Sequence, residues 1–90
     1  MISKKIKVID VQGLHLRPAA KIVTLAKNYQ AEIFIKKADQ KKLANSVLSI
    51  LKLEIKVDDI ITLIVDGKDE LSALPAILQL LYNERFCIIV

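Results

Sequence analysis

The sequence predicts an α+β fold, an open two-layer sandwich in which helices cover one face of an antiparallel sheet. Two observations carry this expectation. Alternating, β-branched segments are interleaved with segments whose apolar residues recur every three or four positions, in the order β-α-β-β-(short α)-β-α. The connections are short, and each helix has one apolar stripe to bury against a sheet face. With 90 residues there is material for one modest core, so residues 1–90 are expected to form a single domain.

The first strand is expected over 2–9, where Ile2, Ile6, Val8 and Ile9 alternate in part with lysines. Gly13 interrupts the chain, and Pro18 marks the start of a helix, because proline fits a first turn whose N–H has no acceptor. From Leu16 to Lys27 the residues Leu16, Ala19, Ala20, Val23 and Ala26 form one buried stripe. Glu32–Lys36 is a strand, and Ala38-Asp39-Gln40 turns it into a short return strand near Lys41–Ala44. Asn45-Ser46 opens a short helix over Val47–Leu53. Ile60–Val65 is the clearest strand, closed by Asp66-Gly67, and Leu71, Leu74, Leu78 and Leu81 mark the last helix.

Two segments resist a simple reading. Pro75 falls inside the last helical pattern, so the expectation is a late start with Ser72 as N-cap, or a kink. The apolar tail Phe86-Cys87-Ile88-Ile89-Val90 has three possible fates: packing on the domain, adding an edge strand, or meeting a second chain. A monomer is expected unless the tail mediates self-association.

Composition excludes several classes. Hydrophobic residues make up 53% of the chain and charged residues 27%, which rules out a disordered polar tail. No apolar run approaches the ~18 residues of a membrane span, so no membrane association is expected. One cysteine, Cys87, rules out a disulfide framework, and no Cys/His cluster has metal-ligand spacing; neither metal nor other cofactor is expected. Met1-Ile2-Ser3-Lys4-Lys5 lacks the apolar stretch of a secretory signal, and a cytoplasmic location is expected. The net charge of +4 is uneven: residues 1–45 hold ten basic and three acidic side chains, residues 46–90 four and seven. An acidic partner would suit the basic half, although solvated lysines explain it equally.

The chemistry centres on His15, the one histidine. It stands between a glycine-containing loop and a helix whose first N–H groups, those of Leu16 and Arg17, have no intrahelical acceptor. The helix dipole adds partial positive charge there, and Arg17 adds a permanently charged fork suited to phosphate oxygens. Imidazole is a nucleophile substantially neutral near pH 7. The pattern suits a reversible phosphoryl carrier, but a histidine at a helix start can equally be an N-cap or a surface residue.

Gly13-Leu14-His15-Leu16-Arg17-Pro18-Ala19-Ala20 resembles the active-site signature of the HPr family, the histidine phosphocarriers of the phosphoenolpyruvate-dependent phosphotransferase system. Ala44-Asn45-Ser46-Val47-Leu48-Ser49-Ile50-Leu51-Lys52-Leu53-Glu54 resembles the family's second signature, around its regulatory serine. Asn45-Ser46-Val47 and Ala73-Leu74-Pro75-Ala76-Ile77 are most similar to the nitrogen-related branch, NPr; the sugar-branch HPr is the alternative. The resemblance implies a βαββαβα open-faced sandwich with a four-stranded antiparallel sheet. It implies that His15 accepts phosphate on Nδ1 from phosphorylated enzyme I and passes it to a IIA-type acceptor, as a stoichiometric carrier rather than an enzyme. Arg17 and the Leu16 N–H would hold the phosphoryl oxygens. Partners would dock on Leu16, Ala20, Val47, Leu48 and Leu51, for which core packing is the alternative reading. Ser46 would be the target of a serine kinase, or simply a helix cap. The chain departs from the family pattern at Leu16, Glu54 and Asp58-Asp59, and its tail has no counterpart there.

Two readings from other classes compete. A regulatory interaction module could use the same scaffold unphosphorylated. A small RNA-binding domain could use Lys36, Lys37, Lys41 and Lys42, but Phe34 is the one clear strand aromatic and no GXXG loop exists, so no nucleic-acid partner is expected. A self-contained enzyme is not expected, because no second titratable group is arranged beside His15 in the sequence; Asp10, Asp66, Asp69 and Glu70 read as strand-end, turn and helix-start residues.

Overall fold

The computed structural model describes residues 1–90. Alternation in β1 (Ile2–Val8) buries Ile6 and Val8 and leaves Lys5 in solvent. There follow α1 (Leu16–Ala26), β2 (Glu32–Lys37), β3 (Gln40–Leu43), α2 (Val47–Leu51), β4 (Ile60–Asp66), α3 (Glu70–Asn83) and β5 (Cys87–Ile89). The strands form one sheet in the order β3-β2-β4-β1-β5, every neighbouring pair antiparallel.

Register explains why one face is dry. Ile6 lies opposite Ile61, Ile35 opposite Leu63, and Ile33 opposite Val65, so the buried residues of β1, β2 and β4 stand side by side. Onto them α1 lowers Ala19, Ile22 and Val23, and α3 lowers Ala73, Leu74, Ile77 and Leu81, each set at helical spacing. No polar or charged residue is buried. Each fully buried Ile or Leu contributes roughly 1.5–3 kcal/mol, so this layer dominates the stability of the fold.

The structure corrects three expectations. The sheet has five strands, not four, because the tail adds an edge strand: Cys87 pairs with Val8, Ile88 with Lys7 and Ile89 with Ile6. The end of α3 brings it there. Arg85 takes a left-handed conformation (φ 54°), its N–H bonds the Tyr82 carbonyl, and the Phe86 N–H reaches back to the Leu81 carbonyl, both at 3.0 Å. This is a Schellman ending in which Phe86 and Leu81 are both buried in the core, with arginine where glycine is usual. Second, α3 does not start late. It begins at Glu70, and Pro75 lies within it. The missing donor at Pro75 deprives the carbonyl of Leu71, a residue 77% exposed, so water can take its place. Third, α2 stops at Leu51 rather than Leu53, since Leu53 turns into the core.

Candidate functional site

Gly13 shapes the approach to His15. Its φ is +66°, and a Cβ there would meet the Ile55 carbonyl oxygen at 2.4 Å, so the loop lies flat on residues 55–56. The Gly13 N–H bonds the Asp10 carbonyl at 2.9 Å, and the Leu14 N–H bonds the Ile55 carbonyl at 3.0 Å. This loop delivers His15 as the N-cap of α1 with extended backbone, and its ring makes no capping bond. The imidazole is therefore not occupied by the helix it precedes. Leu16 and Arg17 form the first turn, and their N–H groups have no acceptor within the helix.

The site has acidic neighbours that sequence reasoning missed. His15 Nε2 lies 3.5 Å from Asp10 Oδ2, correcting the expectation that no titratable group stands beside the ring. The other Asp10 oxygen accepts the Gln12 N–H at 2.9 Å. From the far end of the chain, Glu84 accepts Arg17 Nε at 3.1 Å and Lys21 Nζ at 3.0 Å. The hydrogen bond from Lys21, with the nearby Arg17 charge, holds the Glu84 carboxyl below the usual carboxylate range. Guanidinium carries five N–H donors, so four remain beyond the Nε–Glu84 bond. Asp10, His15, Arg17 and Pro18 face Asn83, Glu84, Arg85 and Phe86 across an open cavity of about 240 Å³. Asp10 was within sight of His15 in the sequence, given the tight turn at Gly13; Glu84 and Arg85 left no signal there.

The remaining candidates are not among the residues that line this cavity. Leu16 and Leu48 are exposed, at 65% and 71%. Ala20, Val47 and Leu51 are half-buried, and Val47 and Leu51 also pack against the core. α1 and α2 are in contact, so these residues flank one helix pair. Ser46 is the N-cap of α2, accepting the Ser49 N–H at 3.4 Å.

An uncapped histidine at a helix start, with an arginine on the same cavity, is compatible with a phosphoryl carrier. A family model described as the PTS HPr component phosphorylation site matches residues 2–83. The chain belongs to the HPr family. It is thus an HPr-type phosphocarrier of the phosphotransferase system, with the HPr-like α+β fold. It is 37% identical over 84 residues to the HPr-like protein Crh of Halalkalibacterium halodurans, covering 93% of this chain and all of that one. It is 38% identical over 79 residues to the phosphocarrier protein NPr of Shewanella violacea, covering 88% and 87%. Its fold matches the histidine-containing phosphocarrier protein of a Mycoplasma with a TM-score of 0.89 at 26% identity, covering 92% and 94%. The HPr match stops at residue 83, so Glu84, Arg85 and Phe86, which wall the cavity, lie beyond it.

Proposed function

We propose that this chain works as a stoichiometric carrier whose phosphorylated state is phosphohistidine at His15. The observation that carries the reading is the imidazole standing uncapped at the start of α1, with the Arg17 guanidinium on the same cavity. The Nδ1 lone pair attacks phosphorus while the bond to the donor breaks. The dianionic phosphoryl group then meets the N–H groups of Leu16 and Arg17, the helix dipole and the free arm of the guanidinium. Transfer to the acceptor reverses these steps, and nothing is turned over without partners.

The donor is an enzyme I-type protein and the acceptor a IIA-type protein. Both dock over an apolar flank of the α1–α2 pair that includes exposed Leu16 and Leu48 and half-buried Ala20, Val47 and Leu51. Likeness to the Shewanella NPr supports a nitrogen-related regulatory chain over sugar transport. A serine kinase acting at Ser46 would place nearly two negative charges on that docking flank, and so would act on partner binding rather than on His15. No helix is long and apolar enough to cross a membrane, and the carrier acts in the cytoplasm, as one domain.

Intact mass after incubation with phosphoenolpyruvate and a cognate enzyme I tests the reading. One acid-labile phosphoryl group, absent from His15→Ala, is the expected result. No gain while enzyme I itself is phosphorylated overturns it. The exposed Leu48 beside Leu16 would then favour a regulatory interaction module working unphosphorylated.

A further inference from the structure

We infer that Asp10 is a positioning residue for His15: its carboxylate keeps the ring proton on Nε2 and leaves the Nδ1 lone pair to receive the phosphoryl group. This rests on the carrier reading above, but its first consequence is a property of the unphosphorylated protein.

The geometry is specific. Asp10 is held from both sides of its backbone. Its N–H reaches the Phe86 carbonyl at 3.2 Å, beside the Ile9 N–H at 2.8 Å on the same oxygen, and its own carbonyl accepts the Gly13 N–H at 2.9 Å. One carboxylate oxygen is occupied by the Gln12 N–H, so the side chain cannot swing freely. The other oxygen, Oδ2, faces His15 Nε2 at 3.5 Å, and no other cationic group lies within 4.0 Å of this carboxylate. Asp10 and His15 are both partly shielded, with side chains 23% and 32% exposed. A carboxylate can only accept, so the ring nitrogen facing it is favoured as the donor. The other charged groups on the cavity are Arg17, Glu84 and Arg85, and the Glu84 carboxylate is engaged by Arg17 and Lys21.

Phosphorylation makes the pairing matter more. As the Nδ1–P bond forms and the donor's bond to phosphorus breaks, the ring acquires positive charge while its proton stays on Nε2. That charge develops within reach of Asp10 Oδ2. The 3.5 Å separation exceeds that of a formed N–H···O bond, which runs about 2.7–3.2 Å, and the pair closes as the imidazolium develops. No proton passes to Asp10.

Asp10→Asn is the informative variant, because the amide oxygen still accepts the Gln12 N–H while the charge facing Nε2 is gone. Nitrogen-15 NMR of the His15 ring should show mainly the Nε2–H tautomer in the native protein. In Asp10→Asn a larger Nδ1–H fraction is expected, with Asp10→Glu restoring the native ratio in part. Phosphoryl uptake from enzyme I should slow about tenfold in Asp10→Asn, the lower end of what is lost when a partner orienting a metal-bound histidine is removed. A tautomer ratio unchanged between native protein and Asp10→Asn would overturn the assignment. So would an unchanged uptake rate. The NMR readout needs no enzyme I, so failure of the carrier reading and failure of the Asp10 assignment register separately.

Discussion

Arg17 Nε donates to Glu84 Oε1 at 3.1 Å, which fastens the first turn of α1 to the residue that closes α3. Lys21 Nζ holds the other oxygen at 3.0 Å, so one carboxylate orients two cations. The folded-state pKa of Glu84 is depressed, so its stabilisation is complete above the ordinary glutamate value of 4.5 and is lost as pH falls through the lower folded value. In thermal melts, Glu84→Gln should lie below the native protein at pH 7 and converge with it as the pH drops below 4.5. Arg17 is 69% exposed, so added salt should narrow the neutral-pH difference. Parallel pH curves for the two proteins would contradict this.

Gly13→Ala should damage both fold and site. A left-handed backbone costs a residue with Cβ about 1–2 kcal/mol, and the collision with the Ile55 carbonyl adds to it. A fall in Tm of about 5–15 °C is expected, together with slower phosphorylation of His15, because the loop that places the ring must move. An unchanged Tm would mean that the loop has another conformation in solution.

Glu54→Gly should do the opposite. Glu54 is exposed and left-handed (φ 52°), and its carbonyl accepts Lys37 Nζ at 2.7 Å through the main chain, which glycine preserves. Relief of strain, less the greater freedom glycine has when unfolded, leaves a net gain of about 0.5–1 kcal/mol. Denaturant titration should show a higher midpoint with phosphorylation unaltered.

Cys87 should be inert in the native state. It is 4% exposed in β5, and burial pushes its thiol up to about 11. A disulfide reagent at pH 8 should label it only as fast as β5 opens, and at full thiol speed in denaturant. Immediate labelling would show that β5 is not stably paired with β1.

The part of this fold legible along the chain is the part written in local periodicity. The β-rich segments 32–36 and 60–65 read as strands and the stripe Leu16, Ala19, Ala20, Val23 and Ala26 as a helix, although Leu16 proves exposed and Ile22, outside that stripe, is buried. The candidate site was legible for a related reason: a glycine, a histidine, an arginine and a proline within six positions mark a loop entering a helix, a place suited to an anion. The fifth strand was not legible as such. A three-residue strand has too few positions to show a period, and its partner β1 is about eighty positions away in sequence. Nor did Arg85 announce the turn before it, since a left-handed Schellman position is recognised in sequence by glycine. The carboxylates that define the site belong to the same class. Asp10 and Glu84 reach the site through the directions of their carboxylate oxygens, which depend on Gly13 lying flat on Ile55 and on Phe86 being buried. Periodicity specifies which face of an element is buried, but the meeting of residues 10, 15, 17 and 84 is a property of the packed core, and only the folded chain decides it.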